Sequence, residues 1–445
     1  MNAFIRNYAA SVILATACAA MQAQEPLRNA ASNPPHAPQS PSLTLAEAEH
    51  LALLRNPRIS IARLLQLAQG EVVREVRSGQ LPTASGNLTA VDAHKGSLVT
   101  AGYLSNSSIY NRAAGGLSVS QLITDFGRIQ HLLHSAEFGS KAQLDAQRAT
   151  AADLTLAVDE AFYHALTTQA VLKVAQQTVA ARQATADQIG ALAAAKLKSS
   201  LDLSFANVEL SQAKLLLLDA QNSALNAMTS LNALLGSESD QQYSLVDQSP
   251  AIPPPAPENA DTLVQTAFNA RPDLAALKDL YTAARQFSAA EHDLSRPTIS
   301  ALGVLGGTPV RAGQITSSWY GAVGANISIP IFNGFLYSAR AHEADLRASA
   351  AQEQVRNLRE LIARDVRTSV LETQAAYQRI TVTQLLRDQS HLALDLAQTR
   401  YQLGLSGIVE LSQAQLAQTQ GEIAYANARY AYQTALAALS YQTGQ

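Results

Sequence analysis

The feature that most limits how this chain can fold is an internal duplication. Residues 401–430, YQLGLSGIVELSQAQLAQTQGEIAYANARY, open with a break at LGLSG. They continue as a helical pattern with apolar or small residues every seven positions: Val409, Leu416, Ile423, Tyr430 and Ala437. A strict seven-residue repeat keeps one seam turned toward a partner helix. Shifted back by 208 residues, the pattern reappears: Leu201, Val208 and Leu215 fall under Val409, Leu416 and Ile423, and Asp202 falls under Glu410. The chain therefore holds two copies of one helix, each reached through a bend and each with an acid just past it.

The duplication reaches outward from there. Pro57 and Pro82 are 25 residues apart, as are Pro272 and Pro297. In the first half, helices over 45–55 and 58–79 precede strand candidates at 83–91 and 113–123, around a polar loop at 106–108. In the second strand, Leu117 and Val119 alternate with Ser118 and Ser120, a period of two. A helical pattern then runs over 128–196, bends near 198–200 and returns to 235. In the second half, strand candidates at 298–306 and 319–330 precede a helix over 335–402. The long helices come to about 100 Å at 1.5 Å per residue, a length of coiled coils and bundle arms. The expected organisation is a tether at 24–42, a first repeat at 43–249, a Pro-rich linker at 250–258 and a second repeat at 259–445.

Four strands in an open sheet leave two edges unpaired, which soluble proteins avoid and lipid cannot satisfy. This points to strands contributed to an oligomeric barrel. Trp319 and Tyr320 suit a membrane-interface aromatic girdle; the other reading is that they cap an ordinary sheet. After the N-terminus no run of about 20 apolar residues occurs, so no ordinary transmembrane helix is expected. The first 23 residues read as a secretory signal peptide, with Arg6 before an apolar stretch at 9–20. Cys18, the one cysteine, is either discarded with it or lipidated.

A net charge of −3 with 15% charged residues gives no basic surface for nucleic acid. His131 and His134 share a helix face, but no third ligand accompanies them. No nucleophile elbow, phosphate loop or Cys/His cluster is present, so neither an enzyme nor a cofactor is expected.

Across nearly all of 43–444 the chain resembles the TolC-type outer-membrane efflux proteins. The resemblance rests on SQLITDFGR (120–128), SIPIFNGF (328–335), RPDL (271–274) and ANARY (426–430), in doubled order. It implies a mainly α fold with a membrane β-barrel portion: a homotrimer whose chains each give four strands to a 12-stranded barrel, continued by an α-helical periplasmic tunnel. It implies an exit duct for tripartite efflux or type I secretion, opened by an iris-like movement of the helix ends. The partners implied are a periplasmic adaptor and an inner-membrane RND pump or ABC transporter. Asp202, Tyr401 and Glu410 match the gate residues, with an Asp202–Tyr401 hydrogen bond expected. Ser406 stands where the family has an arginine, and Gln413 where it has a second ring aspartate. Adaptor docking is expected at the bends, around Lys196, Lys198, Gly404 and Gly407. Asp202 and Glu410 also suit plain helix N-terminal acids. The competing function is a periplasmic coiled-coil protein without a pore.

Overall fold

Two helix–strand–helix halves share one antiparallel sheet. The computed structural model describes residues 41–92, 98–101, 104–108, 112–237, 241–247, 252, 259–310 and 316–445. The signal peptide, Cys18, most of the tether and most of the Pro-rich linker lie outside the described residues.

The first half runs β1 (Ser42–Leu43), α1 (Leu45–Arg55), α2 (Pro57–Ser78), β2 (Thr83–Val91), β3 (Leu98–Ala101), β4 (Leu104–Ser108), β5 (Arg112–Thr124), α3 (Arg128–Ala194), α4 (Ser200–Leu234) and β6 (Ser244–Leu245). The second runs α5 (Ala260–Ala270), α6 (Pro272–His292), β7 (Thr298–Val310), β8 (Trp319–Ser328), α7 (Leu336–Gln402) and α8 (Ile408–Thr443). Thr44 starts α1 through a reciprocal capping box with Glu47. Pro57 and Pro272 are the first residues of α2 and α6. A first-turn proline has no N–H to lose from the ladder, so each ends one helix and begins the next. Residues expected as a polar loop form the small β3–β4 hairpin. The sequence reading also missed the parallel pairing of β1 with β6.

The 208-residue offset holds at the level of backbone hydrogen bonds. Leu197 N–H bonds Leu192 O and Leu405 N–H bonds Arg400 O, closing matched turns. Ser237 N–H bonds Asn232 O and Gln445 N–H bonds Ser440 O, closing both return helices the same way. These are Schellman closures, each with a left-handed residue at its corner: Lys196, Gly404, Gly236 and Gly444. At the last two a side chain has no room, since an added Cβ would lie 2.9 Å from the backbone of Arg55 and 3.0 Å from that of Ala270.

Those close approaches are helix ends abutting. Asn56 caps α2 by accepting from Arg58 N–H at 2.9 Å and donates to Leu234 O, at the end of α4, at 2.8 Å. Arg271, its counterpart, donates to Gln442 at the end of α8. Thus α4 with α2, and α8 with α6, form pseudo-continuous rods beside the 67-residue α3 and α7. Equivalent residues build the packing at these junctions. Ala48, Ala52, Leu154 and Val158 are buried in the first half; Leu263, Ala267, Ile362 and Val366 are buried in the second.

The sheet order is β2-β5-β7-β8, antiparallel throughout. No strand of the described chain pairs with the outer edge of β2 or β8. At the sheet–helix corner, Arg296 donates to Phe126 O at 2.7 Å and pairs with buried Asp293, which also bonds His131 at 2.8 Å. His131 is therefore a strut between the two halves, and His134 bonds Gln130.

Candidate functional site: the sheet faces and the helical tips

Strand alternation and register sort the sheet into two faces. Gly116, Gly306 and Tyr320 lie in one cross-strand row, and Leu117, Leu305 and Gly321 in the next. One face carries Leu88, Leu117, Val119, Leu305, Trp319, Val323 and Ile327, all exposed, with Leu88 and Val323 above 90%. The other carries Ser85, Asn87, Ser118, Ser120, Tyr320, Asn326 and Ser328, with Ser85 and Ser118 hydroxyls bonded at 2.7 Å. That second face also carries Leu302 and Val304, so it is mixed but the more polar of the two, and a bare sheet with two such faces fits a wall between lipid and a wet lumen. Trp319 and Tyr320 lie on opposite faces. The Tyr320 ring lies across Gly306 and Gly116, whose missing side chains make the room for it.

At the other end of the helices the two hairpin turns, 195–199 and 403–407, come together over a small core. Ala186, Ile189, Ala206 and Leu210 of the first hairpin pack with Tyr401, Ile408 and Leu411 of the second. Leu197 and Leu405 stand out from the turns, 70% and 67% exposed.

The expected Asp202–Tyr401 hydrogen bond is not made. Asp202 is the third residue of α4 after its N-cap Ser199, and its carboxylate accepts from Ser199 N–H at 3.3 Å while Ser199 Oγ accepts from Asp202 N–H at 3.1 Å. Two orphan amides at the helix start are thus satisfied, one of them by the acid. The Tyr401 hydroxyl is buried without a hydrogen-bond partner. Burial, then the charge of Asp202, raises its pKa above the ordinary 10.0.

Glu410 occupies the same helical position in α8, but Gly407 replaces Ser199 as N-cap and has no side chain to cap with. Freed from a capping box, Glu410 pairs with Arg400 at 3.1 Å across the turn. Sequence reasoning missed Arg400; its place ten residues before Glu410, across a two-helix turn, was the available signal. Lys196 and Gly404 are the left-handed corners of the two turns, at φ 61° and 73°. Lys198 reaches inward, its ammonium 4.0 Å from the centroid of the Tyr401 ring. Ser406 Oγ is buried without a hydrogen-bond partner.

The seven-residue seam also has a definite place. Leu201, Val208 and Leu215 on α4, with Val409 and Leu416 on α8, stay at least half-exposed. Inside the chain α8 instead buries Ile408, Leu411, Gln415 and Thr419. Near the tips the seam is therefore open, whereas further along α8 Tyr430 of the same repeat is buried in the core of the first half. Among the described residues no helix is long and apolar enough to cross a membrane, which says nothing of a barrel.

The chain thus carries a bare two-faced sheet with free edges at one end of helical hairpins about 100 Å long. The sequence pattern of the outer membrane efflux protein family matches residues 49–237 and 263–445, and the chain belongs to that family. A comparison with curated protein sequences finds no match. Among solved structures the chain is similar to the outer-membrane channel OprN, at 21% identity and TM-score 0.77 over 90% of this chain and 89% of that one. It is similar to CusC at 20% identity and TM-score 0.78, over 90% and 92%. It is also similar to the Campylobacter jejuni outer membrane channel CmeC at 16% identity and TM-score 0.77, over 90% and 85%. The protein is thus an efflux channel of the outer membrane with its helices on the periplasmic side, in a family of transport channels rather than enzymes.

Proposed function

We propose that three copies of this chain assemble into one passive duct, each giving β2, β5, β7 and β8 to a shared 12-stranded barrel. The carrying observation is the sheet itself: an apolar face, a more polar face and unpaired outer edges on β2 and β8. Closure between copies removes every edge at once. The half-exposed seams on α4 and α8 then become contacts between copies in the tunnel. Trp319, on the apolar face, serves as the membrane-interface residue.

The helical tips form the movable iris. Tyr401 is its hub, and Asp202 and Glu410 sit on its first helical turns. Lys196, Lys198, Gly404 and Gly407 mark the turns where a periplasmic adaptor docks, with Leu197 and Leu405 as apolar contacts. The chain catalyses nothing itself; energy comes from an inner-membrane RND pump or ABC transporter reached through that adaptor. The test is to purify the protein in detergent, determine its oligomeric state and record conductance in a planar bilayer. A trimer that inserts and conducts is expected. A folded chain that stays soluble and monomeric without detergent, and gives no current, refutes the duct.

A further inference from the structure

We propose that Lys198 is a positioning residue that clasps the two hairpin tips of one chain together through the face of the Tyr401 ring. The proposal rests on the duct reading for its consequence, gating, but on local geometry for the clasp. Lys198 lies in the turn between α3 and α4, whereas Tyr401 lies in the last turn of α7, so the contact joins the two halves of the duplication. The ammonium stands 4.0 Å from the ring centroid, well inside the reach of a cation over an aromatic face.

The alternatives at this spot are already engaged or absent. The Tyr401 hydroxyl has no hydrogen-bond partner and the residue is only 8% exposed. Its ring face is therefore where it meets a charged group. The Asp202 carboxylate accepts from the N–H of Ser199. Arg400 pairs with Glu410, and Arg182 is buried against Glu209 at 3.8 Å. In the second turn the position equivalent to Lys198 is Ser406, whose buried Oγ makes no bond. Only the first turn supplies a cation here.

The backbone holds the lysine in place. Lys196 adopts φ 61° and Leu197 N–H closes back on Leu192 O at 2.8 Å. Ser199 is then fixed as the N-cap of α4, which leaves Lys198 between two anchored residues. Of the two lysines expected to meet an adaptor, Lys196 is exposed, whereas Lys198 is half-buried with its ammonium over the Tyr401 ring. A cation held over a partly desolvated ring shifts a local opening equilibrium by about 2- to 30-fold.

The test uses the full-length protein in detergent, as wild type, K198M, K198R, Y401F and Y401L. Amide hydrogen exchange reads the tips, and bilayer conductance reads the pore. In K198M and Y401L, exchange over 196–206 and 401–411 should speed up by about that factor. It should stay at the wild-type rate in K198R and Y401F, since Phe keeps the ring and loses only an unbonded hydroxyl. Faster exchange in Y401F with none in K198M overturns the clasp and gives the joint to the hydroxyl; so does unchanged exchange in K198M. If exchange responds as expected while no protein conducts, the clasp stands and the duct reading fails instead.

Discussion

Asp159 on α3 should make the protein less stable as pH rises toward neutrality, and Asp159→Asn should remove that loss. The side chain faces Glu49 of α1, and one of its carboxylate oxygens is buried with no hydrogen-bond partner. Burial, then the charge and hydrogen bond of Glu49, then the charge of Glu160, push its pKa up from 3.8 to about 7. In the unfolded chain Asp159 releases its proton near 3.8. Between that value and about 7 the folded state holds a proton the unfolded state has lost, so each rise in pH favours unfolding. The penalty is absent below the unfolded pKa and complete above the folded one. A shift of about three units at ~1.4 kcal/mol each gives ~4 kcal/mol. Because the site is only partly closed to water, about 2 kcal/mol is the expected effect. Asparagine keeps the shape, carries no charge and donates an N–H toward Glu49. The assay is the thermal unfolding midpoint of the detergent-solubilised protein across pH, for wild type, Asp159→Asn and Glu49→Gln. Both variants should melt above wild type at alkaline pH, with the gap closing toward pH 4. A variant that melts below wild type by the same amount at every pH refutes the reasoning, because the carboxylate would then be a satisfied structural partner.

Three further outcomes follow from the geometry. Val323→Arg, on the apolar face, should cost about 2–4 kcal/mol if it lies at the bilayer midplane and block assembly. Asn326→Arg, on the polar face, should assemble and change only conductance; membrane-fraction recovery separates the two. Gly236→Ala places a Cβ 2.9 Å from the Arg55 backbone at φ 71°, so it should cost more than the ~1–2 kcal/mol of a left-handed non-glycine residue alone. The measure is the melting midpoint beside that of Gly70→Ala, whose added Cβ meets nothing. Arg400→Ala breaks an ion pair whose side chains are 55% and 45% exposed. It should cost under about 1 kcal/mol, with the difference shrinking in high salt.

Most of the architecture was legible because it is written twice. Two prolines 25 residues apart in each half, alternation at Leu117 and Val119, and a heptad seam repeated after 208 residues are local patterns. Helices and strands follow from local patterns whatever they later pack against. The β3–β4 hairpin and the two-residue β1–β6 pair were not legible. Such short strands carry no periodicity and exist only because a partner strand lies alongside.

At the tips the sequence singled out Asp202, Tyr401 and Glu410, but the Asp202–Tyr401 hydrogen bond it led us to expect is not made. Asp202 and Glu410 stand at equivalent positions, and a one-residue difference in the N-cap, Ser199 against Gly407, sends one acid to its own helix start and the other to Arg400. No spacing rule states which way Lys198 turns, because it lies in a turn and its partner Tyr401 is 203 residues away. The sequence by itself determined the duplication, the long helices, the bends and the two-faced strands, since each is a periodicity of one segment. Only the tertiary structure decided which faces the chain buries for itself and which it leaves exposed. It alone also decided which charges meet at the tips, since these are set by distances between segments far apart in the chain.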